Sequence, residues 1–203
     1  MIPYCEFNVS SKTKEEAWSL FTNEAFDPIL RSVLSIVRNF EGFTLLSATD
    51  RMRLFSNSFI SILGVLTATK ADCNNNKVHL FSIFESDGSN SVLKYWFGDA
   101  YEEMKWKILD CARFIQHWNP SESQLTLLCA ALFFNPFIPG LENQPLVCSI
   151  QKTYLKDSDV SILQHFEVLH TQFMEMISHI SISHPNMTNG HQRFRELISN
   201  IIY

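Results

Sequence analysis

Cysteine and histidine, the residues that most often carry metal or covalent chemistry, are numerous here but poorly spaced for it. The chain has five cysteines and seven histidines. A structural zinc site needs closely spaced ligands on short turns, and no Cys-x-x-Cys pair occurs. His170 and His179 lie nine residues apart, whereas two zinc ligands on one helix are separated by about four. The sequence therefore predicts no metal site.

Serine, histidine and acidic residues also lack the surroundings of a catalytic site. Ser121 and Glu122 are not flanked by the glycines that form a nucleophile elbow, and the same holds for every other serine. Neither a phosphate-binding loop nor a dinucleotide-binding fingerprint is present. The pattern therefore predicts that the protein is not an enzyme.

Composition indicates one globular domain. The 203 residues are 46% hydrophobic and 18% charged, and 17 are phenylalanine, which indicates a bulky aromatic interior. No apolar run approaches the roughly 20 residues that cross a bilayer. The net charge of −5 disfavours a surface that binds nucleic acid.

Cys111 and Cys129 lie in apolar helical patterns, which indicates that their thiols are buried. Free thiols in turn indicate a reducing compartment, the nucleus or the cytoplasm.

Apolar residues recur at helical spacing through most of the chain, which predicts an all-α fold. After a flexible lead-in at residues 1–12, we expect one domain over residues 13–203. A turn at 73–76 leads into two short β-branched and aromatic runs, which predict a small β-hairpin near 77–96. Residues 142–159 are less periodic. Helices are expected at residues 13–27, 29–38, 50–69, 100–117, 121–133, 160–180 and 191–202.

The stretch Phe40 to Phe55, FEGFTLLSATDRMRLF, predicts two helices that meet at a corner. Gly42 ends the first apolar stripe, and Thr49-Asp50 is expected to begin the second helix. Its spacing resembles the signature of nuclear receptor ligand-binding domains, which has an aromatic, a Gly-Phe pair, a leucine, an aspartate with a polar neighbour, and a leucine-hydrophobic pair. The corresponding residues are Phe40, Gly42-Phe43, Leu46, Asp50-Arg51 and Leu54-Phe55.

Other stretches extend this resemblance over residues 13–203. Leu128 to Leu141, LCAALFFNPFIPGL, resembles the eighth helix of these domains and the turn after it. Thr13 to Arg38 resembles the third helix of one subgroup, the Rev-Erb and retinoid-related orphan receptors with their insect and nematode relatives. His184-Pro185-Asn186 resembles the loop before the tenth helix in that subgroup.

The resemblance implies a three-layer α-helical sandwich that encloses an apolar ligand and offers a groove to a coregulator helix. Leu34, Met52 and Phe55 would line the groove. Arg38 would face the carboxyl end of the bound helix, because a cation stabilises that end. Ser56 stands where the family often has a second basic groove residue, and Arg51, in place of the usual glutamine, would partly compensate.

Other departures bear on the ligand and on the loops. Leu66 falls near a pocket arginine of the subgroup, so we expect no polar anchor for a ligand carboxylate, and ligand-pocket residues are not assigned. Phe137 replaces the aspartate that usually follows Asn-Pro, and residues 143–158 are expected to be an insertion. No cofactor is required. Haem, which the Rev-Erb group binds through a cysteine and a histidine, is disfavoured because that histidine would lie beyond Tyr203.

Two parts of such receptors have no counterpart here. Without the eight-cysteine zinc module, we expect this chain to make no direct contact with nucleic acid, and no membrane is expected as a partner. Without the terminal activation helix, transcriptional repression or ligand-independent regulation in the nucleus is favoured. Homodimer contacts are predicted through Phe194, Leu197 and Ile201 of the last helix. The alternatives are an intracellular carrier of a lipid or sterol and a dimerising decoy without DNA contact.

Overall fold

Five α-helices and one short 3-10 helix make up the regular structure of the residues that the computed structural model describes, which are 27–76, 78 and 99–155. The predicted all-α class is confirmed for these residues. The lead-in, most of the predicted hairpin near 77–96 and the predicted helices at 160–180 and 191–202 lie outside them. The helices are α1 (Asp27–Arg38), the 3-10 turn (Phe43–Leu45), α2 (Ala48–Ala68), α3 (Asp99–Trp118), α4 (Glu122–Phe133) and α5 (Gln144–Tyr154).

Helix α1 is amphipathic. Pro28 lies in its first turn, where a proline costs nothing because the amide it lacks would have no helical partner. One face of the helix is exposed at Arg31, Ser35 and Arg38. The opposite face is buried and follows the helical period, through Ile29, Leu30, Val33, Leu34 and Val37.

The predicted corner after α1 is present and depends on Gly42. Its φ is +94°, a conformation that side chains with a Cβ disfavour. A Cβ at this position would also lie 2.9 Å from Cγ2 of Ile150 on α5. The second helix begins at Ala48, slightly earlier than predicted, because the cap is Ser47, whose hydroxyl accepts from the Asp50 amide at 3.1 Å.

Helix α2 contacts three of the other described α-helices, α1, α3 and α4, whereas α5 packs against α4. Its second half is buried almost all round, as the strongly apolar sequence predicts. Ser58 is buried there, and its hydroxyl donates to the Leu54 carbonyl at 2.7 Å. This bond satisfies a polar group that would otherwise be costly to bury.

Helix α4 begins with the capping box that its sequence predicts. The Ser121 hydroxyl accepts from the Gln124 amide at 3.3 Å, and the Gln124 side chain accepts from the Ser121 amide at 2.8 Å. From Leu128 to Phe134 every residue is buried. This end of α4 therefore lies in the centre of the described structure.

Helix α5 forms in the stretch that looked less periodic. Asn143 caps it by accepting the Leu146 amide at 3.1 Å, and its buried residues are Val147 and Ile150. The helix is only eleven residues long, and its apolar residues are clustered in the first half while Gln151-Lys152-Thr153 follow, so no long apolar stripe stands out in the sequence. The Gln151 side chain donates to the Ala131 carbonyl at 2.9 Å, which joins α5 to α4.

A cluster of aromatic rings joins the corner to α4 and α5, so the predicted aromatic interior is confirmed for the described residues. Phe133 lies with its ring centroid 6.0 Å from Phe40 and 5.8 Å from Phe43. Phe134 stacks on Tyr154 at 5.7 Å, and the Tyr154 hydroxyl donates to the Glu41 carbonyl at 2.8 Å. Such pairs stabilise by about 0.5–1.5 kcal/mol beyond their buried area.

Candidate peptide groove between the first two helices

The three apolar residues predicted to line the groove lie on helices that pack against each other, α1 and α2. Leu34 is 2% exposed and Phe55 is fully buried, whereas Met52 is half-buried. Leu34 and Phe55 can therefore contribute a floor beneath the surface rather than exposed walls. Met52 is the member of the three that presents apolar surface to a partner.

Arg38, the predicted cation of the groove, is the last residue of α1 and is exposed. It lies one turn beyond Leu34, where the exposed face of α1 borders the buried one. On α2, Ser56 is likewise one turn beyond Met52 and is half-buried. Helix α1 thus ends in an exposed cation, and α2 has a half-buried hydroxyl one turn beyond Met52.

Arg51 is placed differently from the other predicted groove residues. Its Nε donates to the Phe43 carbonyl at 3.1 Å and its Nη2 donates to the Thr44 carbonyl at 2.9 Å. Its guanidinium carbon lies 5.1 Å from the centroid of the Phe43 ring, within cation–π range. These contacts direct the guanidinium toward the 3-10 turn.

Asp50 connects the start of α2 to the loop between α4 and α5. The side chain is fully buried, and its two carboxylate oxygens accept the Glu142 amide at 2.7 Å and the Asn143 amide at 3.1 Å. Charge-assisted bonds of this kind are about twice as strong as neutral ones. Sequence reasoning treated Asp50 as the opening of a helix and missed these partners, which lie more than 90 residues away.

Two further contacts hold the same loop against α2. Arg53 donates from Nη1 to the Pro139 carbonyl at 3.2 Å. Gly140 has a φ of +80°, and a Cβ there would overlap the Arg53 guanidinium. Hydrogen bonds from the Ser47 and Thr49 side chains, helped by the nearby Arg53 charge, lower the pKa of the Glu142 carboxyl. The start of α2 is therefore joined to this loop at several points.

The remaining predicted features fall into three groups. Cys111 and Cys129 are buried as predicted, and burial raises the pKa of the Cys129 thiol to about 12, which makes it a poor nucleophile. Within residues 27–76, 78 and 99–155, no three His, Cys, Asp or Glu side chains form a group that could hold a metal. The predicted dimer residues Phe194, Leu197 and Ile201 lie outside the described residues.

None of the described helices is long and apolar enough to span a bilayer.

A family model described as the ligand-binding domain of nuclear hormone receptor matches residues 9–199. No curated protein matches the chain with significant similarity. The matched family consists of non-enzymatic domains that act in ligand-regulated transcription and bind coregulators. Since the match covers nearly the whole chain, this protein belongs to the family of nuclear hormone receptor ligand-binding domains.

Proposed function

We propose that this domain regulates transcription by binding a coregulator helix in the groove between α1 and α2. The observation that carries the proposal is the arrangement of Leu34 and Phe55 as a buried apolar floor, Met52 as half-buried apolar surface and Arg38 as an exposed cation at the end of α1. A short amphipathic helix uses apolar side chains at i, i+3 and i+4 to enter such a groove.

Half-buried Met52 and exposed Arg38 suit different parts of a bound helix. Met52 has a flexible thioether side chain that can adapt to leucine or isoleucine side chains of the partner. Arg38 can face the carboxyl end of the helix, where a cation stabilises by about 0.3–1 kcal/mol. Ser56 brings no charge, so we expect Arg38 to supply most of the ionic contribution.

The finer assignment to the Rev-Erb and retinoid-related orphan receptor group is also a proposal. It is supported by Thr13 to Arg38 and by His184-Pro185-Asn186 in the sequence. This relationship favours corepressor helices as partners, the three-layer sandwich as the complete fold and the nucleus as the location. The domain would extend over residues 13–203, with a homodimer surface at Phe194, Leu197 and Ile201.

A carrier of a small apolar molecule is the second candidate, because the interior of the described residues is rich in phenylalanine and aliphatic side chains. Leu66 is half-buried on α2 and offers no charge to a ligand carboxylate. Native mass spectrometry of protein from eukaryotic cells tests this function. A bound apolar molecule that disappears on denaturation supports a ligand, whereas a clean apo mass supports partner binding alone.

Reversal of the groove charge tests the coregulator function directly. We expect Arg38→Glu to weaken binding of a fluorescent leucine-rich coregulator peptide about three- to thirtyfold in an anisotropy titration, because losing the cation and placing an anion at the carboxyl end of the bound helix each cost about 0.3–1 kcal/mol. Arg38 is exposed, so the melting temperature should change little. Binding of an apolar ligand should be unaffected.

Lys152→Glu is the matched control, since it makes the same charge change at an exposed position on α5. If Lys152→Glu weakens binding as much as Arg38→Glu does, the effect comes from net charge and not from the groove. If the wild-type domain binds no coregulator peptide, the proposed function is wrong.

A further inference from the structure

We propose that Arg51 is a positioning residue of the groove, which holds α1 and α2 in the register that peptide binding requires and makes no contact with the peptide. The inference rests on the coregulator function proposed above. It differs from the expectation that the charge of Arg51 compensates for the missing basic residue at Ser56.

The geometry of Arg51 suits a contact that holds the 3-10 turn to α2, and we call this set of contacts the Arg51 clasp. The planar guanidinium donates to two successive carbonyls, those of Phe43 and Thr44, at 3.1 and 2.9 Å. The guanidinium also lies over the Phe43 ring. A planar fork with several fixed donors can make these three contacts together, whereas a lysine ammonium or a glutamine amide cannot reproduce them.

The clasp acts on the segment that joins the two sides of the groove. Residues 39–47 connect α1 to α2 and contain the 3-10 turn. The Phe43 side chain packs against Phe133 of α4, so the turn is anchored in the core from one side and held to α2 by Arg51 from the other. Arg38 immediately precedes this connection and Met52 immediately follows Arg51. The clasp therefore sets the distance and orientation of Arg38, the cation of the groove, relative to Met52, its apolar contact.

Two variants of Arg51 separate a positioning role from direct contact. Arg51→Lys keeps the charge and loses the fork, whereas Arg51→Gln loses both. Positioning predicts that both variants weaken coregulator-peptide binding to a similar extent, about fivefold. It also predicts that the dependence of Kd on salt concentration stays as in the wild type, because Arg38 still makes the ionic contact. Direct contact predicts that only Arg51→Gln weakens binding, with a shallower salt dependence.

Hydrogen exchange provides a measurement that needs no peptide. The Leu45 amide donates to the Gly42 carbonyl at 3.1 Å and the Leu46 amide donates to the Phe43 carbonyl at 3.3 Å. We expect these amides to exchange faster in both Arg51 variants and at the wild-type rate in Arg38→Glu. Binding and exchange are measured well below the melting temperature of each variant, so that global unfolding does not imitate either effect.

The outcomes distinguish this inference from the proposed function. If Arg51→Lys binds peptide as the wild type does while Arg51→Gln does not, Arg51 acts through its charge and the inference is wrong. Unchanged exchange at Leu45 and Leu46 overturns it as well, and so does a lower melting temperature with unchanged affinity, which would indicate a purely structural clasp. Absence of peptide binding by the wild type overturns the proposed function and the positioning role together.

Discussion

The two halves of α2 are held by different kinds of interaction. The first half, from the Ser47 cap to Arg53, makes polar contacts with distant backbone: Arg51 binds the 3-10 turn, and Asp50 and Arg53 bind the loop before α5. The second half, from Phe55 to Ala68, is packed mainly by apolar side chains. Its buried Ser58 bonds to a carbonyl of the same helix and to no distant segment in any described contact.

The difference shows how stability and register are divided along one helix. Apolar burial is strong and non-directional, so the second half of α2 can supply much of the stability without specifying an exact alignment. Hydrogen bonds contribute less net free energy but fail when their atoms are displaced. Met52 lies within the first half, where alignment would matter for a helix bound in the proposed groove.

The largest effect on stability is expected from a substitution in the apolar second half of α2. Phe59→Ala removes a fully buried ring that lies 5.7 Å from the Phe55 ring, and should lower the free energy of unfolding by about 3–5 kcal/mol. Phe59→Met keeps most of the volume and should cost less than about 1.5 kcal/mol. Urea denaturation measures both values.

Phe137→Ala is the control, because Phe137 is 83% exposed and its loss should change stability by no more than about 0.5 kcal/mol. The comparison would fail if Phe59→Met were as destabilising as Phe59→Ala. Such a result would mean that the second half of α2 depends on exact shape and not on buried volume.

In the polar first half of α2, stability should be sensitive to a change of hydrogen-bonding groups that leaves the size of the side chain unchanged. Asp50→Asn replaces one of the two acceptor oxygens by an amide donor that faces the Glu142 or the Asn143 amide. We expect the free energy of unfolding to fall by about 2–3 kcal/mol, since a charge-assisted bond is lost and a buried donor is left unsatisfied. Hydrogen exchange should also become faster at the Glu142 and Asn143 amides.

Asp110→Asn is the matched control. Asp110 is exposed and bonds Arg113 at 2.7 Å, and exposed ion pairs stabilise by about 0–1 kcal/mol. Equal losses in the two variants would show that burial and backbone contacts give Asp50 no special role, which would remove the contrast between the halves of α2.

The smallest effect concerns pH. The pKa of Glu142 is lower in the folded chain than in the unfolded chain, so its contribution is complete at neutral pH and is lost as the pH falls through the folded pKa. The urea midpoint of the wild type should therefore exceed that of Glu142→Gln at neutral pH, and the two should converge in acid. Thr49→Val removes one hydrogen-bond donor to the Glu142 carboxylate. In a Thr49→Val background, the effect of Glu142→Gln on the urea midpoint at neutral pH should therefore be smaller. A constant difference at every pH would contradict this account.

The sequence by itself determined the features that depend on short-range geometry. The bounds of α1, α3 and α4 follow from apolar spacing and terminal residues, and the Ser121 capping box follows from two residues three apart. Gly42 marks the corner because few other residues tolerate its backbone conformation. The signature residues around this corner also indicated the family to which the chain belongs.

Only the tertiary structure decided where the polar side chains of α2 make their contacts. The sequence places Arg51 beside the groove residues, yet a long side chain on a helix can reach either the groove or the turn, and packing of Phe43 against α4 brings the turn carbonyls within its reach. Asp50 meets its partners through packing of α2 against α4, followed by the loop to α5. Contacts within one turn are specified by spacing along the chain, whereas directional bonds between remote segments exist only once apolar packing has brought their atoms together.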